Sequence, residues 1–182
     1  MKEEIDKIIF LDVDGVINSN DWAEWCYHNI SFIKEGGCNL ISPNLVKKVI
    51  KICKSTNAKI VLSSSWRHWS LGQTLKSLAS KRDLRPILDN LVGVTPRSDE
   101  RHRGKEIDYF LNCCKKEYMY TADGDQLSDE RYKFSRHPKY VIIDDDNDML
   151  DEQMPYFVQT DFMVGITDED VKKSIKILNG SN

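Results

Sequence analysis

Short apolar runs of strand length punctuate an otherwise polar chain. Ile8, Ile9, Phe10 and Leu11 form the first, Ile60, Val61 and Leu62 the second, and Tyr140, Val141, Ile142 and Ile143 the third. None alternates with polar residues, which suits strands buried on both faces, as in a parallel sheet covered by helices. Each run stops abruptly: the first in Asp12 and Asp14, the second in Ser63, Ser64 and Ser65, the third in Asp144, Asp145, Asp146 and Asp148. Between the runs, apolar residues recur at helical spacing. Leu45, Val46, Val49, Ile50 and Cys53 predict a helix over 43–56, with Ser42 as cap and Pro43 in its first turn. Leu71, Leu75 and Leu78 predict another over 70–82. A third opens near Arg103 and carries Ile107, Phe110, Leu111 and Cys114 inward. Thr167, with Asp170 three residues on, opens a closing helix packed by Val171, Ile175 and Leu178. Leu91 to Val94 reads as a short strand or as part of the link that follows, and Phe157-Val158 as a further strand. Residues 17–41, which hold Trp22, Trp25, Tyr27 and Gly36-Gly37, and residues 115–138 read as irregular.

This order predicts one α/β domain over residues 1–182, built on a mostly parallel sheet flanked by helices. The 182 residues suffice for one buried core, and 40% hydrophobic with 30% charged residues is the balance of an ordinary globular protein. No apolar run approaches a membrane span, and the charged first residues lack the apolar core of a signal peptide. The five cysteines, Cys26, Cys38, Cys53, Cys113 and Cys114, form no CxxC pair. Together these features predict a cytoplasmic protein with free thiols and no membrane partner. A formal net charge of −3 argues against broad nonspecific nucleic-acid binding and leaves room for a local basic groove.

Neighbouring parallel strands would gather the three polar tips at one edge of the sheet, where such sheets bind ligands. Crowded carboxylates there would hold a hard cation, and oxygen-only donors favour Mg²⁺. Hydroxyls and a basic helix start at Arg103 and Lys105 would hold an anion. A metal and an anion cradle beside a nucleophilic carboxylate describe phosphoryl transfer. Blander readings stand beside this one. Asp14-Gly15 also suits a tight turn, the serines suit a helix cap, and the acids at 144–148 suit a solvated turn. Asp123-Gly124-Asp125 lacks the full ligand series of a calcium loop.

The tips in this order resemble the haloacid dehalogenase (HAD) superfamily of phosphohydrolases. Its first motif, an apolar run ending in DxDG, is matched by IIFLDVDG at 8–15. Its second is matched by IVLS at 60–63, its third by Arg103-Gly104, and its fourth by VIIDDDND at 141–148. DVDGVIN, IVLSSSWR, RGKEI and IIDDDNDM look most like the small phosphatase domains associated with RNA-repair proteins. The resemblance implies a Rossmann-like HAD core without a full cap domain. It also implies roles. Asp12 would attack phosphorus and ligate Mg²⁺. Asp14 would act as general acid and then general base, its backbone carbonyl facing the metal. Ser63 and Arg103 would bind the phosphate, with Lys105 the alternative to Arg103. Asp144 and Asp145 would complete the metal shell, and Asp148 would be an outer support or substitute ligand. Arg67 is similar to the arginine that follows the second-motif serine in polynucleotide kinase-phosphatases, which implies a contact with substrate phosphate. His28, His68, His102 and His137 show no ligand spacing and suit surface or packing positions.

Specificity in such enzymes comes from segments between motifs, here 17–41 and about 68–102. An open site and Trp22, Trp25, Trp66 and Trp69 as stacking groups point to a nucleotide or polynucleotide phosphate end. The alternatives are a small-metabolite phosphatase, a phosphotransferase to an alcohol, and a catalytically silent binding module of the same fold.

Overall fold

The computed structural model describes residues 3–29, 41–68, 85–114 and 132–180. Its centre is a five-stranded sheet, all of whose paired neighbours are parallel. Strands β1 (Glu3–Leu11), β2 (Lys59–Leu62), β3 (Leu91–Val94), β4 (Tyr132–Asp144) and β5 (Phe157–Gln159) lie in the order β3-β2-β1-β4-β5. β1 is therefore central, with β2 and β4 on either side. That arrangement brings the three polar tips read from the sequence to adjacent strand ends.

Successive side chains of a strand face opposite ways, so the unbroken apolar runs fill two layers at once. Ile9 and Leu11 join Ile60, Leu62, Val141 and Ile143 in one core. Helices α2 (Pro43–Thr56) and α5 (Asp168–Asn179) cover that core through Val46, Val49, Ile50, Val171 and Leu178. On the other face Ile8, Phe10, Val61 and Ile142 meet Ile107 of helix α4 (Arg103–Tyr109) and Phe110 of the π-turn Phe110–Cys114. Phe10 and Phe110 pack edge to face with ring centroids 5.7 Å apart.

The expected helix 43–56 is α2. Pro43 stands in its first turn, although the Ser42 hydroxyl makes no capping bond. The closing helix opens as expected, with Thr167 and Asp170 forming a reciprocal capping box. Leu91–Val94 is a strand, preceded by the short helix α3 (Arg85–Asp89), so part of the segment 68–102 belongs to the sheet. The helix expected at 70–82 lies outside the described residues, as do Trp69, 30–40 and 115–131.

Two expectations of irregular chain need correcting. Asn20–His28 is a helix, α1, capped by the Ser19 hydroxyl, which accepts from Trp22 N. It escapes a periodicity reading because Cys26 is its one buried residue. Residues 132–138 are also not loop. β4 begins at Tyr132, where it pairs with the charged start of β1 from Glu3 to Ile5, and its register slips before Lys7 meets Lys139. Pro138 and the surrounding polar residues hide that half-strand from an apolar pattern. No helix among the described residues is long and apolar enough to cross a membrane.

Candidate active site at the strand tips

Asp12 follows β1, and its backbone N–H donates to Ile143 O on β4 (3.0 Å), so the two strands run on in register to their tips. Asp144 closes β4 directly opposite. Both carboxylates are buried. Among the described residues, Asp12, Asp144 and the half-buried Asp145 can each offer an oxygen such that all three lie within 4.8 Å of one another. Burial, first, and the Asp12 charge, second, push Asp144 above the usual carboxylate range. Burial pushes Asp12 up as well, against the opposing pull of Arg103 and a Ser64 hydrogen bond. Asp145 is raised too, chiefly by burial. Three crowded oxygen donors, two of them ionised only at a cost, fit a hard divalent cation, which would favour their charged forms.

Arg103 opens α4 and spans the pair. Its Nε donates to Asp144 Oδ2 at 3.0 Å and its Nη2 to Asp12 Oδ1 at 3.5 Å. Burial opposes its charge, but Asp12, Asp144, Glu106 and Asp148 together raise its pKa. Lys105 instead pairs with Glu100 at the surface. Of the two basic residues, it is Arg103 whose side chain reaches the strand tips. Gly104 explains how the helix start comes so close: a Cβ there would lie 2.6 Å from Leu150 N and 2.7 Å from Gln153 Oε1. Asp148 holds this junction, its Oδ2 accepting from Arg103 N (2.8 Å) and its carbonyl from Gly104 N (3.0 Å). It supports the helix start and is outside the cluster of three. His102, expected at the surface or in packing, caps the same helix by accepting from Lys105 N.

Gly15 has φ +64°, and a Cβ on it would fall 2.3 Å from Asp145 Cγ. The Asp-Gly pair does form a tight turn, with Gly15 N donating to Asn18 O (2.7 Å), and the turn makes room for Asp145. Asp14 lies apart from the cluster. Its Oδ1 accepts from Asn18 Nδ2 (2.8 Å) and its Oδ2 from Trp66 Nε1 (2.6 Å).

The serine turn divides its work. Ser63 N donates to Leu11 O at 2.8 Å, and its hydroxyl accepts from Thr95 Oγ1 at 3.3 Å. Ser64, also buried, is the serine that helps hold the Asp12 pKa down against burial. Arg67 is placed behind this turn. Its Nη1 donates to Ser64 O (3.1 Å) and Thr95 Oγ1 (3.3 Å), and its Nη2 to Glu106 Oε2 (2.8 Å). Its side chain is only 4% exposed. Glu106, 3% exposed, also accepts from Ser98 N at 2.9 Å and lies 3.7 Å from Arg103 Nη1. Sequence reasoning missed Glu106 and the donor role of Trp66. Both depend on contacts between distant segments that no local spacing signals.

The remaining aromatic candidates stand nearby in sequence. Trp22 and Trp25 of α1 stack with centroids 5.1 Å apart and planes 10° from parallel, and Trp25 is exposed.

A model of the family described as "HAD domain in Swiss Army Knife RNA repair proteins" matches residues 8–171, from β1 into α5. No curated protein and no solved structure matches the chain. The matched span holds the three polar strand tips and the helix start at Arg103, and the chain belongs to the HAD domains of Swiss Army Knife RNA repair proteins.

Proposed function

We propose that this domain is a Mg²⁺-dependent phosphomonoester hydrolase that works through an aspartyl-phosphate on Asp12. The observation that carries this is the convergence of Asp12, Asp144 and Asp145 within 4.8 Å beside a half-buried arginine that touches two of them. Bound Mg²⁺ supplies positive charge to the phosphoryl oxygens and favours the ionised nucleophile. Asp12, Asp144 and Asp145 would hold it.

In the first step an Asp12 carboxylate oxygen forms a bond to phosphorus while the bond from phosphorus to the ester oxygen breaks. Asp14 gives its proton to that departing oxygen, which leaves as an alcohol. In the second, Asp14 takes a proton from water as the water oxygen attacks phosphorus. The Asp12–phosphorus bond breaks, inorganic phosphate leaves, and Asp14 is protonated again. Arg103 neutralises charge developing on the phosphoryl oxygens, and Ser63 and Ser64 line the cradle on the β2 side. Arg67 acts from behind, fixing the Ser64 carbonyl and Glu106.

For the substrate we favour a polynucleotide phosphate end. The family's RNA-repair description supports it, as does the exposed indole of Trp25 on the helix that follows the Asp14 turn. A single assay tests both levels. Phosphate release is measured with and without Mg²⁺ from small phosphomonoesters and from 3′- and 5′-phosphorylated oligonucleotides, with Asp12→Asn alongside. Mg²⁺-dependent release abolished in Asp12→Asn, and fastest on an oligonucleotide, is the expected result. Release unaffected by Asp12→Asn would overturn the mechanism, and preference for a small ester would overturn the substrate.

A further inference from the structure

The second carboxylate of the first motif is tied to the turn that follows β2. The Trp66 indole donates to Asp14 Oδ2 at 2.6 Å. The backbone holds that turn. Trp66 N donates to Ser64 Oγ (3.3 Å) and Arg67 N to Ser64 O (3.2 Å), within the 3₁₀ turn Ser65–His68 region. The indole also packs against the core, which restricts its swing. The second Asp14 oxygen is held from the other side of the chain by Asn18, whose own backbone is fixed to Val13 O (2.9 Å) and Gly15 N (2.7 Å). Each oxygen therefore receives one side-chain donor from a rigid point. A carboxylate has about four acceptor sites, so one donor on each oxygen leaves room for a proton.

We propose that Trp66 and Asn18 are positioning residues that fix Asp14 in the rotamer from which it protonates the departing oxygen. This rests on the reading of Asp14 as general acid given above. An unclamped aspartate samples several staggered rotamers, and only a well-placed one reaches the ester oxygen as its bond to phosphorus breaks. The clamp then matters in proportion to how much the leaving group needs the proton. p-Nitrophenolate departs readily without one; phenolate does not. The two aryl esters are otherwise close in shape.

The experiment compares kcat/KM for phenyl phosphate and p-nitrophenyl phosphate in the wild-type protein, Trp66→Phe and Asn18→Ala, at one Mg²⁺ concentration. Trp66→Phe keeps the packed ring and removes the N–H. kcat/KM is the appropriate quantity because it reports transition-state stabilisation through departure of the leaving group and excludes hydrolysis of the phospho-enzyme. Each variant is expected to lose about tenfold or more on phenyl phosphate and less than about threefold on p-nitrophenyl phosphate. A clamp that only stabilises the fold would lower both equally, so equal losses, or none, overturn the proposal. Should Trp66→Phe fail to fold, Asn18→Ala makes the same comparison. Asp12→Asn in the same assay separates the two levels. If it is dead while the clamp variants lose both esters equally, the clamp alone fails; a wild-type protein inert on both esters and on 3′- and 5′-phosphorylated oligonucleotides overturns the clamp together with the phosphatase reading.

Discussion

Two arginines flank Glu106, and their surroundings differ. Arg103 faces the strand tips, its side chain 16% exposed, with Asp12 and Asp144 as partners. Arg67 lies on the far side, 4% exposed, committed to Glu106, the Ser64 carbonyl and Thr95. One is open to an incoming anion and the other is sealed behind the turn that would contact it. On the proposed reading the same side chain serves chemistry at one position and rigidity at the other, and the difference lies in what remains exposed once its partners are in place.

Separating stability from activity would break or sharpen this contrast. The largest effect is expected from Arg67→Ala, which strands the buried Glu106 carboxylate. Loss of one partner of a buried pair costs about 3–5 kcal/mol, so chemical denaturation should show a large drop in stability. A direct phosphate contact would instead raise KM and leave the denaturation midpoint in place. Arg103→Ala comes next. It is expected to lower kcat by about 10²–10³, the usual cost of removing one such electrostatic donor, in protein that still unfolds cooperatively. Comparable activity in Arg103→Ala and wild type would remove Arg103 from the chemistry.

A further effect concerns the acids that Arg103 faces. Burial and crowding hold Asp12 at about 7 and Asp144 at about 8, against an ordinary 3.8. Without Mg²⁺ the folded state therefore binds more protons than the unfolded chain across that interval. Stability should be greatest at its acid end and fall as pH rises from roughly 4 to 8. Mg²⁺ favours the ionised forms and should flatten this slope, adding about 2.7 kcal/mol at a concentration one hundred times its Kd. Thermal unfolding at several pH values, with and without Mg²⁺, measures both. A metal-free stability that rises with pH would contradict the environment described for the two acids.

The strand tips were legible because the residues before them are buried on both faces, leaving unbroken apolar runs that end where chemistry begins. Asp12, Ser63 and Asp144 could be located that way, whereas Arg103 stands at a helix start. Helix α1 could not, since it rests on the protein through Cys26 and shows no apolar stripe. The first half of β4 pairs with charged residues at the sheet's other end, so its pattern carries no strand signal. Asp145 over Asp148 within the acidic cluster is a one-turn distinction. Backbone direction after the strand end decides it, and composition does not encode it.

The central place of β1 sets an order of assembly. Its tip carries two acids whose neighbours, Ser64 beside β2 and Asp144 on β4, come much later along the chain. A nascent chain that has emerged only as far as β3 lacks Asp144 and Asp145, which stand beside Asp12 in the folded protein. On the proposed reading, the ion could not template early folding on the ribosome. It would reward only a chain whose β4 has already docked, so metal capture would mark the end of maturation.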